Sequence, residues 1–249
     1  MFEMFINKHF FKQKEAVIMI TRQKEILEIL YQKGSVSVAE LAKTLYVAEM
    51  TVRRDLIEME KGGFLRRYRG GAVLKINIGE MPITERLLLD KEEKEELAKK
   101  CIPFLRDGMT VFLDSSSTCQ YLLPHLAQQK NITVVTNSVQ ALLTAGKLHL
   151  PCLLIGGEYY EQDMCMVGSL AERYVREFNV DVAFFTTAAI SDDGVISDFD
   201  VRQTMIRKIV MQNAKQNIFL FEKEKRGKKL LYTLCTADDA TAVLSVEDK

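Results

Sequence analysis

Residues 47–56 read Val-Ala-Glu-Met-Thr-Val-Arg-Arg-Asp-Leu, and the spacing of their apolar members decides how the head of the chain folds. Val52, Leu56 and Met59 stand at i, i+4 and i+7, one buried stripe of a helix running from about Ala48 to Lys61. That stripe puts Arg54 on the opposite face, with Met50 and Thr51 beside it. Upstream, Ile26, Leu27, Ile29 and Leu30 mark a first helix within Arg22–Tyr31, and Gly34 stops it. Ser37-Val38-Ala39-Glu40 has the form of a capping box, in which serine accepts from the third helical amide and glutamate reaches back. The helix it opens turns Leu41, Ala42 and Leu45 inward, and Tyr46-Val47 makes a short turn into the third helix. Downstream, Gly62-Gly63 ends that helix, and Phe64 to Val73 reads as a hairpin with an arginine-rich tip. Three helices, a tight turn before the third and a basic hairpin spell a winged helix-turn-helix over residues 19–75.

The charge agrees with a nucleic-acid partner. Residues 1–75 hold 14 Lys+Arg and 9 Asp+Glu, while residues 76–249 hold 20 and 25, so a neutral total conceals a basic head and an acidic body. The residues expected at double-stranded DNA are Ser37, Glu49, Met50, Thr51, Arg53, Arg54, Arg66, Arg67 and Arg69. Arginine pairs bidentately with guanine and threonine touches a base or a phosphate. The hairpin arginines neutralise phosphates or enter the minor groove. The third helix is not itself basic, since Arg53, Arg54 and Lys61 stand among Glu49, Asp55, Glu58 and Glu60. Affinity is therefore expected from the hairpin and helix ends, and selectivity from the helix. A winged domain that touches only protein is the alternative.

Composition excludes several classes. The chain has 249 residues, 47% of them hydrophobic, and no uninterrupted apolar run of about 18 residues that would span a membrane. The 5 cysteines are scattered with no C-x-x-C, and the 3 histidines are far apart, so no metal site and no disulfide framework are expected. Such cysteines favour a reducing cytoplasm. No G-x-G-x-x-G follows a strand, so no nucleotide cofactor is expected. Residues 1–18 lack the apolar core and cleavage site of a signal peptide. They read as an upstream extension before Met19, or as a short helix on the domain.

Residues 76–84 read as a linker, broken by Gly79 and Pro82. Glu85 to Leu105 reads as one long amphipathic helix, a connector or a dimer contact. The body, residues 85–249, then alternates strands and helices. Strand runs at Thr110–Leu113, Ile132–Val135, Cys152–Ile155, Val182–Phe185 and Ile218–Phe221 alternate with helices, including one to about Gln128 and one from Asp200 to Ala214. Leu230–Leu234 and Ala242–Leu244 can add edge strands. This pattern predicts an α/β domain with a mainly parallel sheet covered on both faces. Each strand ends in a polar cluster, and in open α/β sheets that edge binds ligands. The residues expected at an effector are Asp114, Ser115, Ser116, Ser117, Thr118, Thr136, Asn137, Ser138, Gly156, Gly157, Glu222 and Lys225. Hydroxyls and free amides at a helix start suit a phosphate, Lys225 supplies the opposite charge, and Asn137 and Asp114 can bond sugar hydroxyls. Ordinary helix capping explains any one cluster alone.

Val47 to Leu56 resembles the signature helix of the DeoR family of bacterial transcriptional regulators, and Arg69-Gly70-Gly71-Ala72 resembles the end of their wing. One departure is Ala48, where the family has serine at the helix cap, a loss of roughly 1 kcal/mol that Glu49 can partly offset. The resemblance implies that the body is a sensor domain related in fold to ribose-5-phosphate isomerase and CoA transferases. It implies a phosphorylated sugar surrounded by Asp114 to Thr118, Thr136 to Ser138, Gly156-Gly157 and Glu222 to Lys225. Three departures stand there: Glu222 for aspartate, and Thr186 and Ala189 for glycines, which would narrow the pocket floor.

A repressor released by a sugar phosphate, a dimer or tetramer on its operator, is the function these readings favour. The alternatives are a sugar-phosphate isomerase with an appended winged domain and a protein adaptor. An isomerase needs a positioned acid or base. Asp192-Asp193 with Lys225 is a candidate, and Asp192-Asp193-Gly194 reads equally as a turn.

Overall fold

Amphipathic helices too short to be stable alone need a shared core, and the head supplies one from three helices and a small sheet. The computed structural model describes residues 21–33, 35–61, 64–74 and 82–246. The extension of residues 1–18, the stops at Gly34 and Gly62-Gly63, and the linker up to residue 81 lie outside them. The chain divides into two compact units between residues 77 and 78.

In the head, α1 (Thr21–Lys33) is followed by β1 (Ser35–Ser37), α2 (Val38–Thr44), α3 (Glu49–Lys61), β2 (Leu65–Tyr68) and β3 (Gly71–Leu74). Ile26, Leu27, Leu30, Leu41, Val52, Leu56, Met59 and Leu65 are buried together. The three strands form an antiparallel sheet in the order β1-β3-β2. β1 is too short and too polar to be read from sequence. Its pairing requires Gly71, where a Cβ would lie 2.4 Å from the Val36 carbonyl and the Tyr68 hydroxyl. The capping box is only half formed. Ser37 Oγ accepts from the Glu40 amide at 3.1 Å, but the Glu40 carboxylate bonds Lys33 Nζ at 2.5 Å instead of reaching back. Of the hairpin arginines only Arg69 stands at the turn; Arg66 and Arg67 lie on β2.

The body begins with α4 (Ile83–Arg86), which starts in the last two residues of the stretch read as linker, then α5 (Lys91–Cys101) and β4 (Thr110–Leu113). The single long helix expected over residues 85–105 is therefore broken. Asp90 takes a left-handed conformation with φ 47, and the buried Lys94 ammonium donates to the carbonyls of Arg86 (2.5 Å) and Leu89 (2.7 Å), closing the break. Next come α6 (Ser117–Gln120), α7 (Leu123–Leu126), β5 (Thr133–Thr136), α8 (Val139–Lys147) and β6 (Cys152–Leu154). The helix expected to run to Gln128 is split because Pro124 cannot donate to the preceding turn. A hairpin of β7 (Glu158–Tyr160) and β8 (Cys165–Val167) precedes α9 (Ser169–Val175) and β9 (Val182–Phe185). The chain continues through β10 (Ala189–Ile190), β11 (Val195–Asp198), α10 (Val201–Asn213), β12 (Asn217–Phe221), β13 (Tyr232–Thr236) and β14 (Ala242–Ser245).

Six strands form one sheet in the order β14-β12-β9-β4-β5-β6, every neighbouring pair parallel. This is the α/β architecture expected. β13 does not join its edge as expected but pairs antiparallel with β11 in a separate sheet, β10-β11-β13. Strand residues alternate between the two faces. Phe184, Ile218 and Leu220 pack with Leu97, Cys101 and Leu126 on one side, while Phe185, Phe219 and Phe221 pack with Val167, Ile206 and Ile155 on the other.

The second face is held by stacked rings. Phe219 is fully buried, 5.0 Å from the Phe185 ring and 6.3 Å from that of Phe221. Phe219→Ala is expected to destabilise the body by about 3–5 kcal/mol. An unchanged midpoint in urea unfolding would contradict this packing account.

Candidate functional site

α3 is fixed to the head by an ion pair whose carboxylate, Asp55, was counted in the sequence only among the charges of the helix. Asp55 is buried and accepts from Arg22 Nε at 2.5 Å and Nη2 at 3.0 Å, tying α3 to α1. Glu58 adds a second tie, accepting from Gln23 at 2.8 Å. With Val52, Asp55, Leu56 and Met59 turned inward, Glu49, Met50, Arg53 and Arg54 face outward, and Thr51 is half-buried. Ala48 supplies only its carbonyl to the helix start, accepting from the Thr51 amide at 2.9 Å. Glu49 is turned to Arg53 at 3.0 Å. On the hairpin, Arg67 is held by Glu60, which accepts from its amide at 2.9 Å and its Nε at 2.8 Å. Arg54, Arg66 and Arg69 are exposed and have no ion-pair partner among the described residues. Ser37 is half-buried at the start of α2, where its hydroxyl is the helix cap. Tyr46 was not expected at this surface. It is 95% exposed beside α3, with a positive φ of 56 that a bulky side chain seldom adopts.

In the body, the connection from β4 runs to β5 on one side, while β9 lies on the other. The strand order therefore switches direction between β4 and β9, and ligands bind at such a point, beyond the carboxyl ends. Asp114 stands at the end of β4 and is almost fully used by the protein. Its oxygens accept from the amides of Ser115 (2.6 Å) and Thr186 (3.2 Å) and from Arg207 Nε (3.1 Å). Arg207 Nη1 donates to Asp198 at 2.6 Å and Nη2 to Gln203 at 3.0 Å. Burial opposes the guanidinium charge, but Asp114 and Asp198 outweigh it and hold the Arg207 pKa above its ordinary value. The Gln203 carboxamide also accepts from Ser115 Oγ at 2.9 Å and donates to Asp163, which pairs with Arg86. Burial pushes the Asp163 carboxyl up, against the pull of Arg86 and Arg207.

A second chain of contacts crosses the same edge. Ser116 caps α6 by accepting from the Cys119 amide at 3.3 Å, and Thr118 donates to Glu222, whose other oxygen pairs with Lys225. Burial alone would raise the Glu222 carboxyl, but Lys225, Lys94 and the Thr118 hydroxyl hold it below the usual range. Lys94 is pushed down to about 8 by burial. Gln120 donates to Ser138 Oγ at 3.2 Å, and Thr136 Oγ1 donates to the Leu113 carbonyl at 2.6 Å, joining the ends of β4 and β5. Asn137 donates to the Met166 carbonyl at 3.1 Å. Asp114 to Thr118, Thr136 to Ser138 and Glu222 to Lys225 thus stand together. Gly156-Gly157 lie at the end of the outer strand β6. Gly157 is a packing residue, since a Cβ there would lie 2.6 Å from the Val167 carbonyl and 2.8 Å from Ala171. Thr186 and Ala189 are both buried, and Thr186 Oγ1 lies 3.7 Å from Cys119 Sγ.

Sequence reasoning missed Arg86, Lys94, Asp163, Asp198, Gln203 and Arg207. Arg207 carried a signal, a cation among Ile206, Ile209 and Val210 on an inward helix stripe; the others carried none. Among the described residues no group of histidine, cysteine and carboxylate side chains is placed to hold a metal ion, and no helix is long and apolar enough to cross a membrane.

A helix-turn-helix head and an open parallel sheet with a polar edge define a DNA-binding regulator with a sensing domain. Residues 22–76 match the DeoR-like helix-turn-helix domain and residues 89–247 the DeoR C terminal sensor domain, so the chain belongs to the DeoR family of transcriptional regulators. It is 26% identical over 223 residues to the glycerol-3-phosphate regulon repressor of Escherichia coli, covering 89% of this chain and 88% of that one. It is 28% identical over 229 residues to the lactose phosphotransferase system repressor of Staphylococcus epidermidis, covering 90% of each. The solved ribose 5-phosphate isomerase A of Methanocaldococcus jannaschii is similar at 20% identity and a TM-score of 0.42, over 57% of this chain and 56% of that one.

Two variants test the electrostatics of the edge. Arg207→Met leaves Asp114 and Asp198 buried without their cation and is expected to cost about 3–5 kcal/mol in chemical unfolding. A loss under 1 kcal/mol would show that other groups neutralise them. Glu222 has a depressed folded-state pKa, so its contribution is complete above the unfolded carboxyl value of about 4.3 and is lost as pH falls through the folded value. Glu222→Gln should therefore flatten the acid limb of the stability–pH curve, and an unchanged slope would remove Glu222 as its source.

Proposed function

We propose that this regulator is a repressor, held on its operator by the head and released when a phosphorylated sugar occupies the carboxyl edge of the body's sheet. The observation that carries the reading is the gathering of Asp114 to Thr118, Thr136 to Ser138 and Glu222 to Lys225 at the β4–β9 switch point. Hydroxyls, first-turn amides and Lys225 suit a phosphate, and the family's sensor domain agrees. Asp114 serves there as the anchor of Arg207 and shapes the loop without contacting the sugar. The two repressors described above are named for glycerol-3-phosphate and lactose phosphotransferase systems, which supports carbohydrate metabolism as the regulated process. Paired heads on successive major grooves call for a dimer or tetramer and a repeated operator. Release then follows from an effector that prefers the unbound state.

In the head, Arg54 reads a base from the outward face of α3, with Met50 and Thr51 alongside, while Arg66 and Arg69 meet phosphates. The isomerase alternative rests on Asp192-Asp193, which stand in a turn. Asp193 bonds Ser191, and Gly194 closes a turn onto the Ser191 carbonyl at 2.9 Å. Lys225, its other candidate, is paired with Glu222.

Fluorescence anisotropy with the upstream DNA of its own gene, followed by a panel of sugar phosphates, tests the whole reading. Specific binding released by one phosphate is expected; specific binding that none disturbs would overturn the effector part, and no specific binding would overturn the operator part. Arg54→Ala should cost roughly 1–3 kcal/mol of operator affinity and relax sequence preference. Arg66→Ala and Arg69→Ala should weaken all sequences alike and lower the salt slope by about 1 each. Arg67→Ala should lower it less, because Glu60 already holds that guanidinium. Equal slopes for the three would argue against this division.

A further inference from the structure

Buried polar atoms are almost always hydrogen-bonded, so those that are not point to something that belongs beside them. Besides Glu222 Oε2, which faces the Lys225 ammonium, three such atoms stand at the carboxyl edge of the body: Gln120 Oε1 on α6, Asn137 Oδ1 beyond β5 and Thr187 Oγ1 beyond β9. Their residues are 7%, 2% and 2% exposed. α6 follows β4, and β5 and β9 are the two neighbours of β4 in the sheet. Gln120 bonds Ser138, the neighbour of Asn137, and Cys119, the neighbour of Gln120, lies 3.7 Å from Thr186, the neighbour of Thr187, so the three residues line one stretch of that edge. The surroundings of these oxygens are fixed. The Gln120 amide donates to Ser138, the Asn137 amide to the Met166 carbonyl, and Thr186, beside Thr187, is held by Asp114.

The chemistry of these atoms selects what can meet them. A phosphate or carboxylate only accepts hydrogen bonds, so it leaves two amide oxygens unmet. An apolar group leaves all three unmet. A hydroxyl both donates and accepts, and answers an amide oxygen and a threonine hydroxyl equally. Several hydroxyls on one carbon chain can reach three strand ends at once.

We infer that Gln120, Asn137 and Thr187 form a polyol subsite that takes the hydroxyl-bearing part of the effector and turns its phosphate away, towards Ser116, Ser117, Thr118 and Lys225. This rests on the effector reading above and adds the orientation of the ligand and two residues, Gln120 and Thr187, that select it. Discrimination should be strong, because an analogue lacking a hydroxyl leaves a buried oxygen unpaired.

The test uses the full chain and thermal melting and calorimetric titration with D-ribose 5-phosphate, D-fructose 6-phosphate, 2-deoxy-D-ribose 5-phosphate, glycerol 3-phosphate and inorganic phosphate. At least one polyhydroxylated ester should bind, inorganic phosphate at the same concentration should give no comparable shift, and removal of a hydroxyl should weaken binding. Thr187→Val keeps the volume and removes the unpaired atom alone, whereas any apolar replacement of Gln120 would also lose its bond to Ser138. Thr187→Val should melt no lower than the parent without ligand, because no bond is lost from that atom, yet bind the ester roughly tenfold more weakly. Binding as tight as the parent's would overturn the subsite and leave the effector reading standing. A melting point several degrees lower without ligand would overturn it too, since that atom would then hold a fixed internal partner. If no ester binds the parent while operator binding is intact, the effector reading and the subsite fall together.

Discussion

The buried guanidinium of Arg207 is the constraint around which the body is arranged. A cation cannot stay buried without matched acceptors, and Arg207 draws its acceptors from three separate elements. Asp114 comes from the end of β4, Asp198 from the end of β11 and Gln203 from the preceding turn of its own helix. This fixes α10 against the centre of the sheet where strand order reverses. It also sets the path of the Asp114–Thr118 loop, because Asp114 holds the Ser115 and Thr186 amides while bound to Arg207. The hydroxyl-rich loop is placed by charge, and the sheet beneath it by packed aromatic rings.

The head repeats this logic on a smaller scale. Arg22 and Asp55 make a bidentate pair between α1 and α3, and bidentate geometry fixes rotation as well as distance. Once Asp55 is held inside, the outward face of α3 carries Arg53 and Arg54 with one fewer carboxylate than a count along the helix suggests. Glu49 and Glu60 then hold Arg53 and Arg67, so among the described residues of the head the arginines without an ion-pair partner are Arg54, on the outward face of α3, and Arg66 and Arg69, on the hairpin.

The elements legible in sequence were those whose signal is local. Val52, Leu56 and Met59 fixed α3 by period, and the apolar runs ending in Asp114, Thr136 and Thr186 marked strands of a parallel sheet. What was not legible depended on partners far along the chain. The break between α4 and α5 is closed by Lys94, which on a helical wheel looks like one more surface lysine. β1 exists because Gly71 lets it approach β3, and β13 leaves the main sheet to pair with β11. The site was legible as a set of residues but not as a set of roles. Asp114 looked like a ligand contact and proves to be the partner of Arg207. Gly157 looked like part of a loop around a ligand and is needed for close packing on Val167 and Ala171. Ser37 and Glu40 had the spacing of a capping box, but Lys33 competes for the carboxylate, and an ion pair seven residues away is invisible to a four-residue motif.

The bonds at the polar edge also form one continuous path through the body. Ser115 bonds Gln203, Gln203 bonds Asp163, and Asp163 bonds Arg86 on α4, the first helix after residue 81. Lys94 then ties the Arg86 carbonyl to the start of α5 and lies close enough to Glu222 to lower its pKa. Interiors are packed too tightly to deform by degrees, so a group that displaces the Ser115 hydroxyl or the Glu222 carboxylate must be accommodated by exchanging whole hydrogen bonds. Both ends of the polar edge converge on Arg86 and Lys94. The entry to the sensor domain is therefore tied to both ends of its carboxyl edge by hydrogen bonds and charge.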